Sequence, residues 1–315
     1  MTAAEQEVAE FLARLDAGFP DVTAYPAAEV RRMIADRRAP LTGLPAMAAV
    51  TDTVIDGPGG GLPLRIYRPR GAATPGPAVV FAHGGGFVFC DLDTHDELCR
   101  SMAEAVGATV VSVDYRLAPE HPAPAAHEDF LAAVAWAMGP GGTGHDIDPH
   151  AVLLAGDSAG GNLAATAALA LRGRPGPAPR GQVLLYPVID DDFTTESYRR
   201  FGTGHYNTEA AMRWYWDQYA PTAELRADPQ VVPTRAATLA GAAPAAVFTA
   251  ETDPVCSAAD AYARRLADDG VPVHHHRFDG LFHGFLTIAS LAATGPARER
   301  VWAAMRALLT GGAAD

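Results

Sequence analysis

The sequence predicts an α/β fold: one mostly parallel sheet of eight strands, helices on both faces, and a helical cap over one end. Three observations carry this. Short apolar runs rich in Val, Leu and Ala recur from about residue 78 onward, with helical segments fitting between them, the pattern of a parallel sheet. A tight glycine-rich bend, Gly156-Asp157-Ser158-Ala159-Gly160-Gly161, joins one such run to a long Ala/Leu-rich segment. Hydrophobic residues make up 49% of 315 positions, enough for a large core and too many for a disordered chain.

Taken in order, residues 1–45 read as an N-terminal helical cap segment, distinct from a body over 46–315. Val8, Phe11, Leu12 and Leu15 fall at i, i+3, i+4 and i+7, one apolar stripe of a helix. A second helix is expected over 29–37, carrying Val30, Met33 and Ile34; so short a pair must lie on something apolar. Runs at 51–56 and 62–67, separated by Gly57-Pro58-Gly59-Gly60-Gly61, read as an antiparallel hairpin. Further strands are expected at 78–82, 109–113, 151–155, 182–186, 245–250 and 272–278. Helices fit near 94–106, 124–138, 159–172 and 257–269. Thr94-His95-Asp96-Glu97 has the form of a capping box, so Thr94 is expected to cap the first of these. The stretch from about 190 to 230 is too long for a simple crossover and reads as a cap insertion, with one helix over 208–219.

Bulk properties exclude several function classes. With 24 Lys and Arg against 37 Asp and Glu, the net charge is −13, which repels phosphate backbones and anionic lipids; neither nucleic acid nor membrane is expected as a partner. The three cysteines, Cys90, Cys99 and Cys256, show no CxxC spacing and suit a reducing compartment. The first residues lack the basic and apolar regions of a secretory signal, and no apolar run reaches the ~18 residues of a membrane span. A soluble, cytoplasmic protein is expected. His274, His275 and His276 are consecutive on a strand and face alternate sides, so they cannot converge on one ion; no metal is expected.

Four motifs carry chemistry. Ser158 stands at a strand–turn–helix bend flanked by glycines, the context of a nucleophile elbow, although such a bend alone is also an ordinary loop. His83-Gly84-Gly85-Gly86-Phe87 follows the strand at 78–82, and a run of glycines lets main-chain N–H groups converge on one point, as an oxyanion hole demands. A flexible turn or a phosphate loop would also be glycine-rich. No G-K-[ST] ending is present, however, and Phe87 and Phe89 suit an ester better than a polyanion. Asp253 follows the strand at 245–250, and His283 the strand at 272–278. The order Ser, Asp, His, each at the carboxyl end of an expected strand, is that of the α/β-hydrolase fold. The assignment is Ser158 as nucleophile, His283 as base and Asp253 as its orienting carboxylate, with Gly85, Gly86 and Ala159 supplying oxyanion N–H groups. Asp157 and His83 are expected to hydrogen-bond locally. Aromatic residues as dense as Trp214, Tyr215, Trp216 and Tyr219 either fill core or wall a pocket. A pocket is expected here, lined by Phe87, Tyr206, Trp214 and Tyr215.

From about Arg65 to Phe285 the chain resembles the bacterial hormone-sensitive-lipase-like esterases. The resemblance rests on His83-Gly84-Gly85-Gly86-Phe87, Asp114-Tyr115-Arg116-Leu117-Ala118-Pro119-Glu120-His121-Pro122, Gly156-Asp157-Ser158-Ala159-Gly160-Gly161-Asn162, Asp253-Pro254 and His283-Gly284-Phe285. It implies a helical cap over the site, a small-molecule ester substrate with a short acyl chain, no cofactor, and a homodimer. Two departures stand out: Cys90 replaces a usual glycine, and Val255-Cys256-Ser257 replaces a usual Leu-Arg-Asp. The leading function is a serine carboxylesterase acting on short-to-medium acyl esters. The alternative is an amide or N-acetyl hydrolase using the same machinery. A hormone receptor of this family would lack the histidine kept here as His283, and no amphipathic lid points to a long-chain lipase.

Overall fold

The structure, a computed structural model, describes residues 3–36 and 42–311. Helices α1 (Ala3–Gly18) and α2 (Ala27–Asp36) come first, joined through a 3₁₀ turn at Val22–Ala24. Arg37, the expected end of the second helix, lies outside the described residues. Strands β1 (Ala49–Gly57) and β2 (Gly60–Arg68) form the hairpin, paired through Gly57 and Gly60, so the connection tightens to Pro58-Gly59. The body then runs β3 (Gly76–Ala82), α3 (Asp96–Val106), β4 (Thr109–Val113), α4 (Ala125–Ala137), α5 (Pro140–Thr143), β5 (Ile147–Asp157), α6 (Ala159–Leu171) and β6 (Gly181–Leu185). It continues with α7 (Glu196–Phe201), α8 (Glu209–Tyr219), α9 (Ala223–Ala227), β7 (Ala245–Ala250), α10 (Cys256–Asp268), β8 (Val273–Phe278) and α11 (Thr294–Thr310).

All eight expected strands are present, in one sheet of order β1-β2-β4-β3-β5-β6-β7-β8. Only β2 runs antiparallel to its neighbours β1 and β4; the rest pair in parallel. Strands β3, β4, β6 and β7 are buried on both faces, and because the side-chain period is two their alternate residues enter two cores. Val80, Val111, Leu154 and Val247 join the core under α4, α6 and α10, whereas Val79, Val110, Leu153 and Ala246 join the core under α3 and α11. The apolar stripe of α1 rests on the second core, and Val30 of α2 is buried in the first.

Four helices go beyond the expected set: α5, α7, α9 and α11. The first three are 4, 6 and 5 residues long, too short for a periodic signal to register. α11 did carry one, since Val301, Trp302 and Met305 are buried along it at i, i+1 and i+4. The capping box is corrected. His95, not Thr94, is the residue preceding α3, with no side-chain cap; the Thr94 hydroxyl donates instead to Asp91 O at 2.7 Å and accepts from Asp91 N at 2.9 Å. A local turn outcompetes the helix terminus for the hydroxyl.

Candidate active site

β5 ends at Asp157 and α6 begins at Ala159, leaving Ser158 alone at the bend with φ 54° and ψ −116°. A side chain at φ near +54° is strained, and here the surroundings hold it. Ser158 N donates to Leu185 O at 2.8 Å and its carbonyl accepts Val188 N at 3.0 Å, so the end of β6 grips the bend on both sides. Gly160 is required by closeness: a Cβ there would lie 1.9 Å from Ala82 O at the end of β3. The elbow and the glycine loop after β3 are therefore in main-chain contact.

That loop turns on Gly85, whose carbonyl accepts Val88 N at 2.9 Å and Phe89 N at 3.0 Å. A Cβ on Gly86 would fall 2.5 Å from the Tyr215 ring, so the α8 aromatic packs directly onto the loop's backbone. Asp157 binds the loop to the elbow, accepting Gly84 N at 2.8 Å through Oδ1, which also lies 3.2 Å from His95 Nε2. His83 Nδ1 lies 2.7 Å from Gly84 O, and its ring stacks on Tyr115 at 4.4 Å. Burial, with the neighbouring His95, pushes the His83 pKa down to about 4, so the ring is a neutral Nδ1–H donor to that carbonyl.

Asp253 follows β7 and is fully buried, with Oδ1 accepting Val255 N at 3.0 Å. Its other oxygen meets His283 Nδ1 at 2.6 Å, and His283 Nε2 meets Ser158 Oγ at 2.8 Å. The loops carrying acid and base are themselves tied, since Thr252 N and Oγ1 both donate to Leu281 O at 2.9 Å. An unbroken chain thus runs from a buried carboxylate through an imidazole to a hydroxyl, across 125 residues between Ser158 and His283. A buried carboxylate on Nδ1 places that proton there and leaves Nε2 to take the serine proton.

Ser158 and His283 open into a cavity of about 110 Å³, lined also by Gly85, Gly86, Tyr206 and Tyr215. The pocket expectation is corrected at two positions. Phe87, at φ 64°, turns its ring down onto Tyr219, stacked at 3.8 Å, and leaves the wall to Phe89. Trp214 does not line the cavity either. On α8 the buried stripe is Met212, Tyr215, Trp216 and Tyr219, at i, i+3, i+4 and i+7, and Trp214 falls beside it. Lining residues that the sequence did not mark include Phe19, His95, Asn207, Met212 and Thr287. The period of α8 singles out Met212; Phe19, just past the end of α1, has no such signal. Among the described residues, no group of three or more His, Cys, Asp or Glu is placed to hold a metal ion. His275 faces Asp260 at 2.9 Å, whereas the rings of His274 and His276 lie toward Phe248 and Phe278.

Comparison with known proteins bears on this geometry. The family model for the α/β hydrolase fold matches residues 79–287. The chain is 41% identical over 267 residues to the carboxylic ester hydrolase LipN of Mycobacterium tuberculosis, covering 83% of this chain and 71% of that one. It is 37% identical over 239 residues to an ethyl acetate hydrolase of Pseudomonas putida, covering 73% of each. Among solved structures, a thermostable esterase from Pseudomonas putida superposes with a TM-score of 0.89 at 32% identity, covering 98% of both chains. A hyperthermophilic esterase from Pyrobaculum calidifontis gives 0.86 at 34% identity, covering 95% of this chain and 97% of that one.

Proposed function

The chain belongs to the hormone-sensitive-lipase-like esterases of the α/β-hydrolase fold and is a carboxylesterase, and from that premise we propose that Ser158, His283 and Asp253 are its catalytic triad. The observation that carries the assignment is the pair of contacts at 2.8 and 2.6 Å that links the three side chains at the rim of the sheet. Ester rather than amide hydrolysis follows the relatives, which are named as ester hydrolases.

Ser158 Oγ attacks the ester carbonyl carbon while its proton passes to His283 Nε2, and the carbonyl electron pair moves onto oxygen. Asp253 accepts the Nδ1–H and stabilises the imidazolium. The N–H groups of Gly85, Gly86 and Ala159 receive the oxyanion, each such donor lowering the barrier by ~3 kcal/mol. The 13-residue helix α6 directs its N-terminal partial charge at the same oxygen. On collapse the carbonyl re-forms, the C–O bond breaks, and the leaving alkoxide takes the proton from Nε2. Water, deprotonated by His283, then attacks the acyl-serine and releases the acid.

The small cavity supports short-to-medium acyl esters. The N-terminal segment and the segment from 190 to 230 act as the cap in this reading, because Phe19 comes from the turn after α1 and Tyr206, Asn207, Met212 and Tyr215 come from the second segment. Cys90, Cys99 and Cys256 are free thiols, as suits a reducing, cytoplasmic setting, and a homodimer is proposed on family resemblance alone. The decisive experiment pairs p-nitrophenyl esters of graded length and one anilide with a fluorophosphonate label. The parent protein is expected to hydrolyse acetate to hexanoate esters and to take up one label. Ser158→Ala should stay folded, lose the label and lose about four or more orders of magnitude in kcat. Undiminished turnover in that variant would remove Ser158 from the mechanism.

A further inference from the structure

Beside the catalytic cavity lies a second, larger one of about 590 Å³, between the end of α1 with its following turn and the α7–α8 segment. Two residues, Phe19 and Tyr206, line both. Their rings meet edge to face with centroids 5.0 Å apart, so together they form the wall between the two spaces. That wall is held from both sides of the chain. Tyr206 sits at φ 66°, a left-handed conformation, and its N–H donates to Asp16 Oδ1 of α1 at 3.0 Å. Phe19 N closes α1 on Leu15 O at 2.8 Å, and its ring also lies 6.1 Å from Phe89 of the glycine loop.

The Tyr206 half of the wall stands beside the base, and the Phe19 half beside Phe89. Tyr206 Cε1 lies 4.0 Å from the position of a Cβ on Gly284, the residue after His283, whereas Gly85, Gly86 and Phe89 bound the oxyanion side. His283 Nε2 must reach the departing oxygen, so whatever is bonded to that oxygen points toward Tyr206. The far space is lined by Val22, Ala210 and Ala211 together with Asp16, Asp21, Glu209 and Arg213, and its only cation among these, Arg213, is engaged by Glu209 at 2.8 Å. It therefore suits an uncharged alkyl or polar chain and disfavours an anionic one.

We propose that the space beyond Phe19 and Tyr206 is a second substrate subsite, which takes the distal alcohol portion of esters too long for the catalytic cavity, with the two rings as the partition. This rests on the carboxylesterase reading and adds to it the direction in which long substrates extend. The test uses the full chain and two ester series followed by acid release: acetates of ethyl, butyl and hexyl alcohols, and ethyl esters of acetic, butyric and hexanoic acids. Hydrolysis of ethyl acetate by the parent protein tests the underlying activity; ratios of kcat/KM within each series test the subsite. Phe19→Ala opens the partition, and its hexyl acetate to ethyl acetate ratio should rise at least tenfold over the parent while the acyl-series ratio moves less than threefold. Ala210→Trp, at an exposed position, fills the far space, and the same alcohol ratio should fall at least fivefold. Alcohol ratios within twofold of the parent in both variants overturn the proposal even with ethyl acetate hydrolysis intact. So does a shift confined to the acyl series.

Discussion

Asp157 stands next to Ser158, the proposed nucleophile, and does its work on another segment. Its carboxylate accepts Gly84 N, 73 residues away, and faces His95, so one buried side chain fixes the elbow relative to the loop of N–H donors. Burial pushes its pKa up, but His95, His83 and the Gly84 amide outweigh that and hold the carboxyl below its ordinary value. Asp157→Ala leaves a buried N–H unpaired, which costs about 1–3 kcal/mol in a denaturant titration. The larger consequence should fall on kcat, about tenfold or more down with KM changed less, because in the proposed mechanism the donors serve the transition state rather than the bound ester. Equal kcat in the variant and parent would show that the loop keeps its aim without this carboxylate. A sequence shows Asp157 beside Ser158 but not its partner. The same limit explains Phe87 and Phe89: two rings two residues apart, of which a positive φ sends one into the core and leaves the other on the wall.

Helix α2 shows how an element of ten residues is held without a large core of its own. Arg31 donates through Nε to Val88 O and through Nη2 to Ala118 O, both at 2.6 Å, and forks onto Glu120 at 2.9 and 2.6 Å. It clamps the N-terminal segment to the glycine loop and to the Asp114–Pro122 stretch at once. Removing it as Arg31→Ala should cost about 2 kcal/mol, since hydrogen bonds from a charged donor exceed neutral ones. Amide exchange over 27–36 should accelerate while the central strands stay protected. Arg31→Lys should not restore the protection, because an ammonium cannot reproduce a planar fork. Restored protection in that variant would make charge, not geometry, the operative property. Most elements with a clear period were legible from the sequence: α1, α2, α3, α4, α6, α8, α10 and every strand, with α11 the periodic helix not among those expected. Short α5, α7 and α9 were not, because one or two turns carry no period.

At the scale of the whole molecule, two buried histidines set the acid limit. Burial lowers the pKa of His83 and of His127 to about 4 each, against 6.5 for an exposed ring, and their Nδ1 groups face Gly84 O and Thr166 Oγ1. The unfolded chain therefore binds protons that the native state refuses between pH 6.5 and 4. Stability rises with pH across that window and levels off above it. Asp114 opposes this. Burial, then Asp91 and Asp93, raise its pKa to about 6, so the native state holds a proton between pH 3.8 and 6 that the unfolded chain gives up. Two histidines outweigh one carboxyl, and stability should fall by about 4 kcal/mol from pH 7 to pH 4, read by urea titration at each pH. Asp114→Asn should be more stable than the parent above pH 6, with the difference closing toward pH 4. A parent protein as stable at pH 4 as at pH 7 would contradict neutral, buried His83 and His127.

Period, turn chemistry and order along the chain are enough to read the fold class, the eight strands and the grouping of Ser158, Asp253 and His283, whose side chains the fold brings into contact. The sequence also marked the glycines of the elbow and loop, where only a missing side chain permits the approach of two backbones. The packing of distant segments settles which aromatic rings line the cavity, what Asp157 and Arg31 hold, and that Phe19 and Tyr206 stand between two cavities. Those depend on segments up to 190 residues apart meeting in space, and no local pattern records a meeting of that kind.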